Sequence, residues 1–228
     1  MPSVELRGVI IKYGRKKALD NVDLSIESDN YAIIAGPTGA GKTTLLKAIC
    51  GLVPLASGKI IVDGEDITRV PPEKRGIGYL PQGYALFPHL DVWGNVTFGP
   101  ISRGWETKDV EVIARRILNM IGLIERADAY PHELSGGMAQ RVALGRAIAS
   151  GADLILLDEP LSALDVMLRI MLRYEIKKMA KSLNLTVIHV THDQEEAMSI
   201  GDRIFLLREG KILEEGSPEE LFKSPENP

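Results

Sequence analysis

Lys42 and Thr43 close an eight-residue run, Gly36-Pro37-Thr38-Gly39-Ala40-Gly41-Lys42-Thr43, that fits the pattern G-x-x-x-x-G-K-[ST]. The glycines let the backbone curl until successive N–H groups point inward, at the oxygens of a phosphate chain. Lys42 has the reach to meet the β- and γ-phosphates of a nucleotide, and the Thr43 hydroxyl suits Mg²⁺. Thr44 opens a helical run whose N-terminus adds partial positive charge to the same place. The alternative is a Gly-rich turn that matches by chance. A short buried strand over 31–35 before the loop and a helix over 44–49 after it, stopped by Gly51, argue against that.

Two adjacent carboxylates form a second candidate group. Asp153-Leu154-Ile155-Leu156-Leu157-Asp158-Glu159-Pro160 is a nearly continuous apolar run ending in acids. Such a run suits a strand buried on both faces of a parallel sheet, whose ligand sites lie at strand C-termini. Asp158 there can hold Mg²⁺ through its water shell, and Glu159 can polarise an attacking water. A pair of helix-capping acids is the plainer reading, but buried charge is costly without a partner such as a metal.

Three further places carry both a chemical and a structural reading. His192 follows a buried strand over 186–190, at what would be the same active edge; a lone histidine is more often structural. Gln82 follows a strand over 76–80, where a glutamine is usually a polar loop residue. Ser135-Gly136-Gly137, within Leu134-Ser135-Gly136-Gly137-Met138-Ala139-Gln140, is a second anion site or an ordinary helix start before the helical run 141–149. Tyr13, at the end of a first strand, stacks on a base or packs.

The rest of the chain must position these groups. Strands are expected over 4–13 and 18–27, with Gly14-Arg15-Lys16-Lys17 as the turn, and over 59–62, followed by an Asp63-Gly64 turn. Between 83 and 104 lies an apolar, aromatic stretch without strand alternation, which is either internal packing or a docking surface. Thr107 is expected to cap a helix with apolar positions Val110, Ile113, Ala114, Ile117, Leu118 and Ile121, ended by Gly122. A long helix is expected from 162–165 to about 181. Asp193 and Glu196 suit a capping box. A hairpin over 204–213 closes the chain, and the tail 224–228 is polar and Pro-rich. The whole reads as one domain over 1–228, with a helical insertion over about 83–140.

The 228 residues carry a formal net charge of −4, which gives no general attraction to nucleic acid. Cys50 is alone, so no intramolecular disulfide is expected, and an intracellular setting fits. It reads as a small buried apolar residue. No signal segment and no bilayer-length apolar run is evident, so a membrane role would come through a partner.

Together these pieces resemble the nucleotide-binding subunit of ATP-binding cassette (ABC) transporters, over about 4–222. Gly36–Thr43 matches the Walker A motif, 154–158 the Walker B motif with Glu159 following, and 134–140 the signature. Gln82 matches the Q-loop, 162–165 the D-loop, His192 the switch histidine and Tyr13 the base-stacking aromatic. The signature usually continues Gln-Gln or Glu-Arg after its glycines, where this chain has Met138-Ala139-Gln140. The resemblance implies an α/β fold. It has a P-loop NTPase core with a mostly parallel sheet, an antiparallel β subdomain and a helical subdomain.

It also implies ATP and Mg²⁺ as ligands, with Thr43, Asp158 and Gln82 on the metal side. Lys42, Gln82, Glu159 and His192 would serve hydrolysis, and Asp165 would join the nucleotide contacts. Two copies would pair head to tail, each ATP held between Walker A of one and Ser135–Gly137 of the other. The segments 72–75 and 84–89 look like the importer branch serving oxyanions, sugars and polyamines, most of all molybdate or tungstate importers. The partners would be permease subunits and, indirectly, an extracellular solute-binding protein, with the ATPase on the cytoplasmic face of the membrane. Many members of that branch carry a C-terminal regulatory β-domain; with the sequence stopping at Pro228, that domain is expected to be either absent or truncated. The main rival is a soluble ABC ATPase of translation or DNA repair, expected to carry a second cassette or a long coiled-coil insertion. A plain P-loop kinase or GTPase would not need the 134–140 element or His192, and a module without turnover would not need Glu159.

Overall fold

Strands β1 (Val4–Tyr13) and β2 (Lys16–Ile26) form an antiparallel pair. The computed structural model describes residues 2–223, so the tail expected over 224–228 lies outside the described residues. The turn between β1 and β2 is only Gly14-Arg15, because Lys16 and Lys17 already pair with Tyr13 and Lys12. After β3 (Tyr31–Ala35) and α1 (Lys42–Cys50), β4 (Ser57–Val62) returns to the other side of β1, and the two-residue β5 (Glu65–Asp66) completes a sheet of order β2-β1-β4-β5.

The second sheet takes β6 (Ile77–Leu80), β7 (Leu154–Asp158), β8 (Thr186–Thr191), β9 (Arg203–Arg208) and β10 (Lys211–Gly216). Its order is β10-β9-β3-β8-β7-β6, parallel except for the β9–β10 hairpin. Every residue of β3, β7 and β8 is buried. Alternate side chains feed two separate cores, as a two-residue period requires. Tyr31, Ile33, Ile155, Leu157 and Val187 join the core beneath the larger group of helices. Ala32, Ile34, Leu154, Leu156, Ile188 and Val190 join the core shared with α1 and the antiparallel sheet. Each fully buried aliphatic side chain contributes about 1.5–3 kcal/mol, which makes this central layer the rigid base of the molecule.

The helices are α2 (Val92–Ser102), α3 (Thr107–Met120), α4 (Gly136–Ile148), α5 (Val166–Ser182), α6 (Gln194–Ile200) and α7 (Pro218–Lys223). Helices α2, α3 and α4 pack on one another and share the core beneath the parallel sheet. Four local expectations are corrected. Thr107 does not cap α3: it is the first helical residue, and Glu106 before it makes no side-chain cap. Helix α4 starts at Gly136, not at 141. The Ser135 side chain accepts the Met138 N–H at 3.3 Å, supplying a partner to one of the first-turn N–H groups that no helix carbonyl can reach. Helix α5 starts at Val166, with Asp165 as its cap accepting the Leu168 N–H at 3.0 Å, so 162–165 is a turn.

The fourth correction is at Asp193, which accepts the Glu196 N–H at 3.0 Å. The Glu196 carboxylate turns away to Thr191 instead of closing a capping box. Helix α2 was not expected, since its sequence VWGNVTFGPIS is poor in helix formers. Its glycines have a packing reason: a Cβ on Gly99 would lie 2.6 Å from the Ser150 Cα.

Candidate active site

Four adjacent parallel strands end at one edge of the sheet. Ala35 lies opposite Thr191, Asp158 opposite Val190, and Leu80 opposite Leu157. The residues just beyond those ends are Gly36, His192, Glu159 and, two past Leu80, Gln82. In-register pairing therefore gathers groups that are far apart in the chain, as the C-terminal edge of an open α/β sheet does.

The loop 36–43 is held close to its neighbours. Gly36 has φ +156, and a Cβ there would lie 2.0 Å from the Leu207 carbonyl oxygen, so only glycine fits. The Lys42 ammonium donates to the carbonyls of Gly36 at 2.8 Å and Pro37 at 3.0 Å. Burial pulls the Lys42 pKa below its ordinary value, and the charges of Glu159 and Asp158 oppose that pull. Ala40 shapes the loop through its backbone, donating to the Pro37 carbonyl at 3.2 Å and accepting the Gly210 N–H at 2.9 Å.

A cleft of about 440 Å³ opens over this loop. Thr38, Gly39, Gly41, Lys42, Thr43 and Thr44 line its floor. Gln82 and Glu159 lie on its wall, and Tyr13, about half exposed, also lines it. The Thr43 hydroxyl donates to the Asp158 carboxylate at 3.0 Å. Burial pushes the Asp158 carboxyl above its ordinary range, against the hydrogen bonds of Thr43 and Tyr79 and the charge of Lys47. A buried carboxylate beside a hydroxyl is an all-oxygen donor set that fits Mg²⁺, which takes one or two carboxylates and completes its shell with phosphate and water.

Glu159 stands in the left-handed region, with φ +51. That conformation is uncommon for a residue with a side chain. Here its N–H is tied to the Val190 carbonyl at 3.0 Å. One carboxylate oxygen lies 3.2 Å from His192 Nδ1, and the other accepts from Gln82 Nε2 at 3.5 Å. Gln82, Glu159 and His192 thus form one polar group. Ser135, Gly136, Gly137 and Asp165 are not brought to this cleft.

Two residues at the site escaped the sequence reading. Gln140 is buried, and its amide donates to the Glu159 carbonyl at 3.2 Å and to Ser162 Oγ at 3.4 Å, while its oxygen accepts the Ala163 N–H at 3.1 Å. It ties α4 to the turn that carries Glu159. Tyr79 places its hydroxyl 3.5 Å from Asp158. The only sequence signal for Gln140 was its place in the 134–140 motif, and Tyr79 looked like an ordinary strand residue.

This geometry sits in a recognisable class of protein, a nucleotide-binding cassette built on a phosphate-binding loop. The ABC transporter family model matches residues 19–162, and the chain belongs to that family. It is 45% identical over 226 residues to the spermidine/putrescine import ATP-binding protein PotA of Aggregatibacter actinomycetemcomitans, covering 99% of this chain and 61% of that protein. It is 41% identical over 226 residues to PotA of Vibrio cholerae, covering 99% of this chain and 60% of that protein. The chain therefore spans about three fifths of the length of these curated relatives. Among solved structures, the dimeric post-hydrolysis state of the ATP-binding cassette MJ0796 bound to ADP and Pi has a TM-score of 0.85 at 31% identity. That match covers 94% of this chain and 98% of the other. The expected ABC ATPase fold, with its parallel core, antiparallel sheet and helices, is the fold observed.

Proposed function

We propose that this chain binds and hydrolyses ATP to drive import through membrane permease subunits, as one of two copies that sandwich the nucleotide. The observation that carries this reading is the convergence of the 36–43 loop, Asp158, Glu159, Gln82 and His192 at one sheet edge. Loop N–H groups and Lys42 would bind the phosphates, and Tyr13 would stack on the base. Thr43, Asp158 and Gln82 would hold Mg²⁺, which supplies charge neutralisation at the phosphate oxygens when bound. Glu159, steadied by His192, would take a proton from the attacking water. Ser135, Gly136, Gly137 and Asp165 lie away from the cleft, so their contacts would be made with the partner copy's nucleotide. The head-to-tail pair draws support from the dimeric cassette neighbours.

For the transported substrate, molybdate or tungstate gains no support from the relatives, which are named for spermidine and putrescine import. A polyamine-type importer is the better proposal. Among the described residues no helix is long and apolar enough to cross a membrane. Attachment at the cytoplasmic face would therefore run through permease subunits, with a solute-binding protein further out. The helical block proposed over 83–140 would carry that contact. A role in translation or DNA repair is not favoured, since the PotA relatives are named as import ATP-binding proteins.

Glu159→Gln is the direct test, because the amide keeps shape and backbone while removing the base. Steady-state phosphate release should fall by about 10²-fold or more, with ATP still bound. Release within threefold or so of wild type would overturn the assignment.

A further inference from the structure

Behind His192 lies a buried polar chain to which the proposed hydrolysis assigns nothing. His189, on β8, is fully buried, and Glu196, on α6, is nearly so. His189 Nε2 faces Glu196 Oε1 at an ion-pair distance of 3.4 Å, and neither atom makes a hydrogen bond among the described residues. On the other side of the ring, His189 Nδ1 lies 2.9 Å from the Tyr31 hydroxyl. Burial, with the charges of Glu196 and Asp202, raises the Tyr31 pKa, so the phenol keeps its proton. With a carboxylate oxygen facing Nε2, the tautomer with its proton on Nε2 avoids setting two lone pairs against each other, and it leaves Nδ1 to accept from the phenol.

The second oxygen of Glu196 reaches the turn itself. Thr191 Oγ1 donates to Glu196 Oε2 at 2.6 Å and accepts the Asp193 N–H at 3.0 Å. These two bonds flank His192. Arg173 holds Asp193 from α5 at 2.7 Å. Glu159, Thr191, His192 and Glu196 also line one cavity of about 30 Å³, so the chain borders the proposed reaction groups directly. A buried carboxylate is kept only where its partners satisfy it. Here the contacts run in sequence from Tyr31 on β3 through His189 on β8 and Glu196 on α6 to Thr191 at the turn.

We propose that Glu196, oriented by His189 and Tyr31, is a positioning residue that acts through the Thr191 hydroxyl to set the turn presenting His192 to Glu159. This rests on the proposed role of His192 in hydrolysis. The fold gives a reason for the device. His192 is more than half exposed and follows the last residue of β8, and its side chain pairs with Glu159 alone among the described residues, so the turn must aim it at that carboxylate.

The test is ATP hydrolysis by the purified full chain, with kcat and KM measured separately, for variants alone and in a His192→Ala background. Thr191→Val keeps the shape but removes the hydroxyl. It should lower kcat about tenfold while leaving KM for ATP within about twofold. Thr191→Ser restores the hydroxyl and should keep kcat within about threefold of wild type. In the His192→Ala background Thr191→Val should cause no further fall, because both changes act through one group. Glu196→Gln leaves one acceptor oxygen where the carboxylate uses two, toward His189 and toward Thr191; it should follow the same pattern and serves if Thr191→Val does not fold. An equal fall in both backgrounds, or a wild-type kcat for Thr191→Val, overturns the proposal. A silent His192→Ala overturns the role of His192 itself, and this inference with it.

Discussion

At the residue scale, the group around Glu159 depends on side chains that never meet the nucleotide cleft. Glu159 keeps a left-handed backbone because Val190 takes its N–H and because Gln140 and the Ser162 hydroxyl both donate to its carbonyl. Gln140 also satisfies the Ala163 N–H. Gln140→Ala would remove that bond and the one to the Glu159 carbonyl, and would free the Glu159 turn. Stability should fall by about 1–3 kcal/mol, the sum of a small cavity and the lost hydrogen bonds. Denaturant unfolding of the two proteins measures this; a loss below about 0.5 kcal/mol would mean that water replaces the amide. Cys50 stands at the other extreme. Burial pushes its thiol up to about 12, against the Arg75 charge. It stays protonated and inert at neutral pH, as a small buried residue would.

At the element scale, α2 shows how packing overrides propensity. Asp91 caps it by accepting the Gly94 N–H at 2.6 Å, and Asn95 pins the preceding loop with bonds to both the N–H and the carbonyl of Phe87. Arg146 of α4 lies 4.8 Å above the Phe87 ring and donates to the carbonyls of Tyr84 and Ala85. The aromatic stretch after Gln82 is therefore anchored to the helical block at its base, while Phe87 and Leu86 remain only half-buried. Gly99 fixes how closely α2 approaches the Ser150 backbone. Gly99→Ala would gain about 1 kcal/mol in helix propensity. It would also force backbone apart at a contact of 2.6 Å. The clash should win, with a net loss of about 1–3 kcal/mol in thermal or denaturant unfolding. A variant more stable than wild type would show that the helix can slide.

At the scale of the whole molecule, the two glycines of the 134–140 motif ask for a partner. A Cβ on Gly136 would meet nothing within 4 Å, so the chain by itself gives no reason for glycine there. Gly136→Asp should fold normally, since an acid in the first turn of α4 suits the helix dipole. If the proposed sandwich is right, it sets a carboxylate against the phosphate bound by the other copy. Glu159→Gln protein should dimerise when Mg²⁺-ATP is added, because binding drives association. The same protein carrying Gly136→Asp should stay monomeric, with its melting temperature within about 2 °C. Light scattering reads both. An ATP-induced dimer that survives Gly136→Asp would place the nucleotide contact elsewhere.

The sequence by itself determined what is written locally. It specified the phosphate loop between a strand and a helix, the buried apolar strands with their terminal acids, the amphipathic α3 and the family the motifs belong to. These follow from short-range rules of turn chemistry, periodicity and spacing. It also carried the likeness to importer subunits, though the oxyanion reading did not find support in the relatives. Only the tertiary structure decided how the pieces meet. Strand order and parallel register brought Gln82, Glu159 and His192 together, and no local rule encodes the neighbour of a strand. Packing made a helix of Val92–Ser102 against its propensity and began α4 within the Gly-Gly pair. Burial turned Gln140, Tyr79, His189 and Glu196 from unremarkable letters into partners of the site. A buried polar side chain must be satisfied by whatever the fold places beside it, and that neighbour lies far away in the chain.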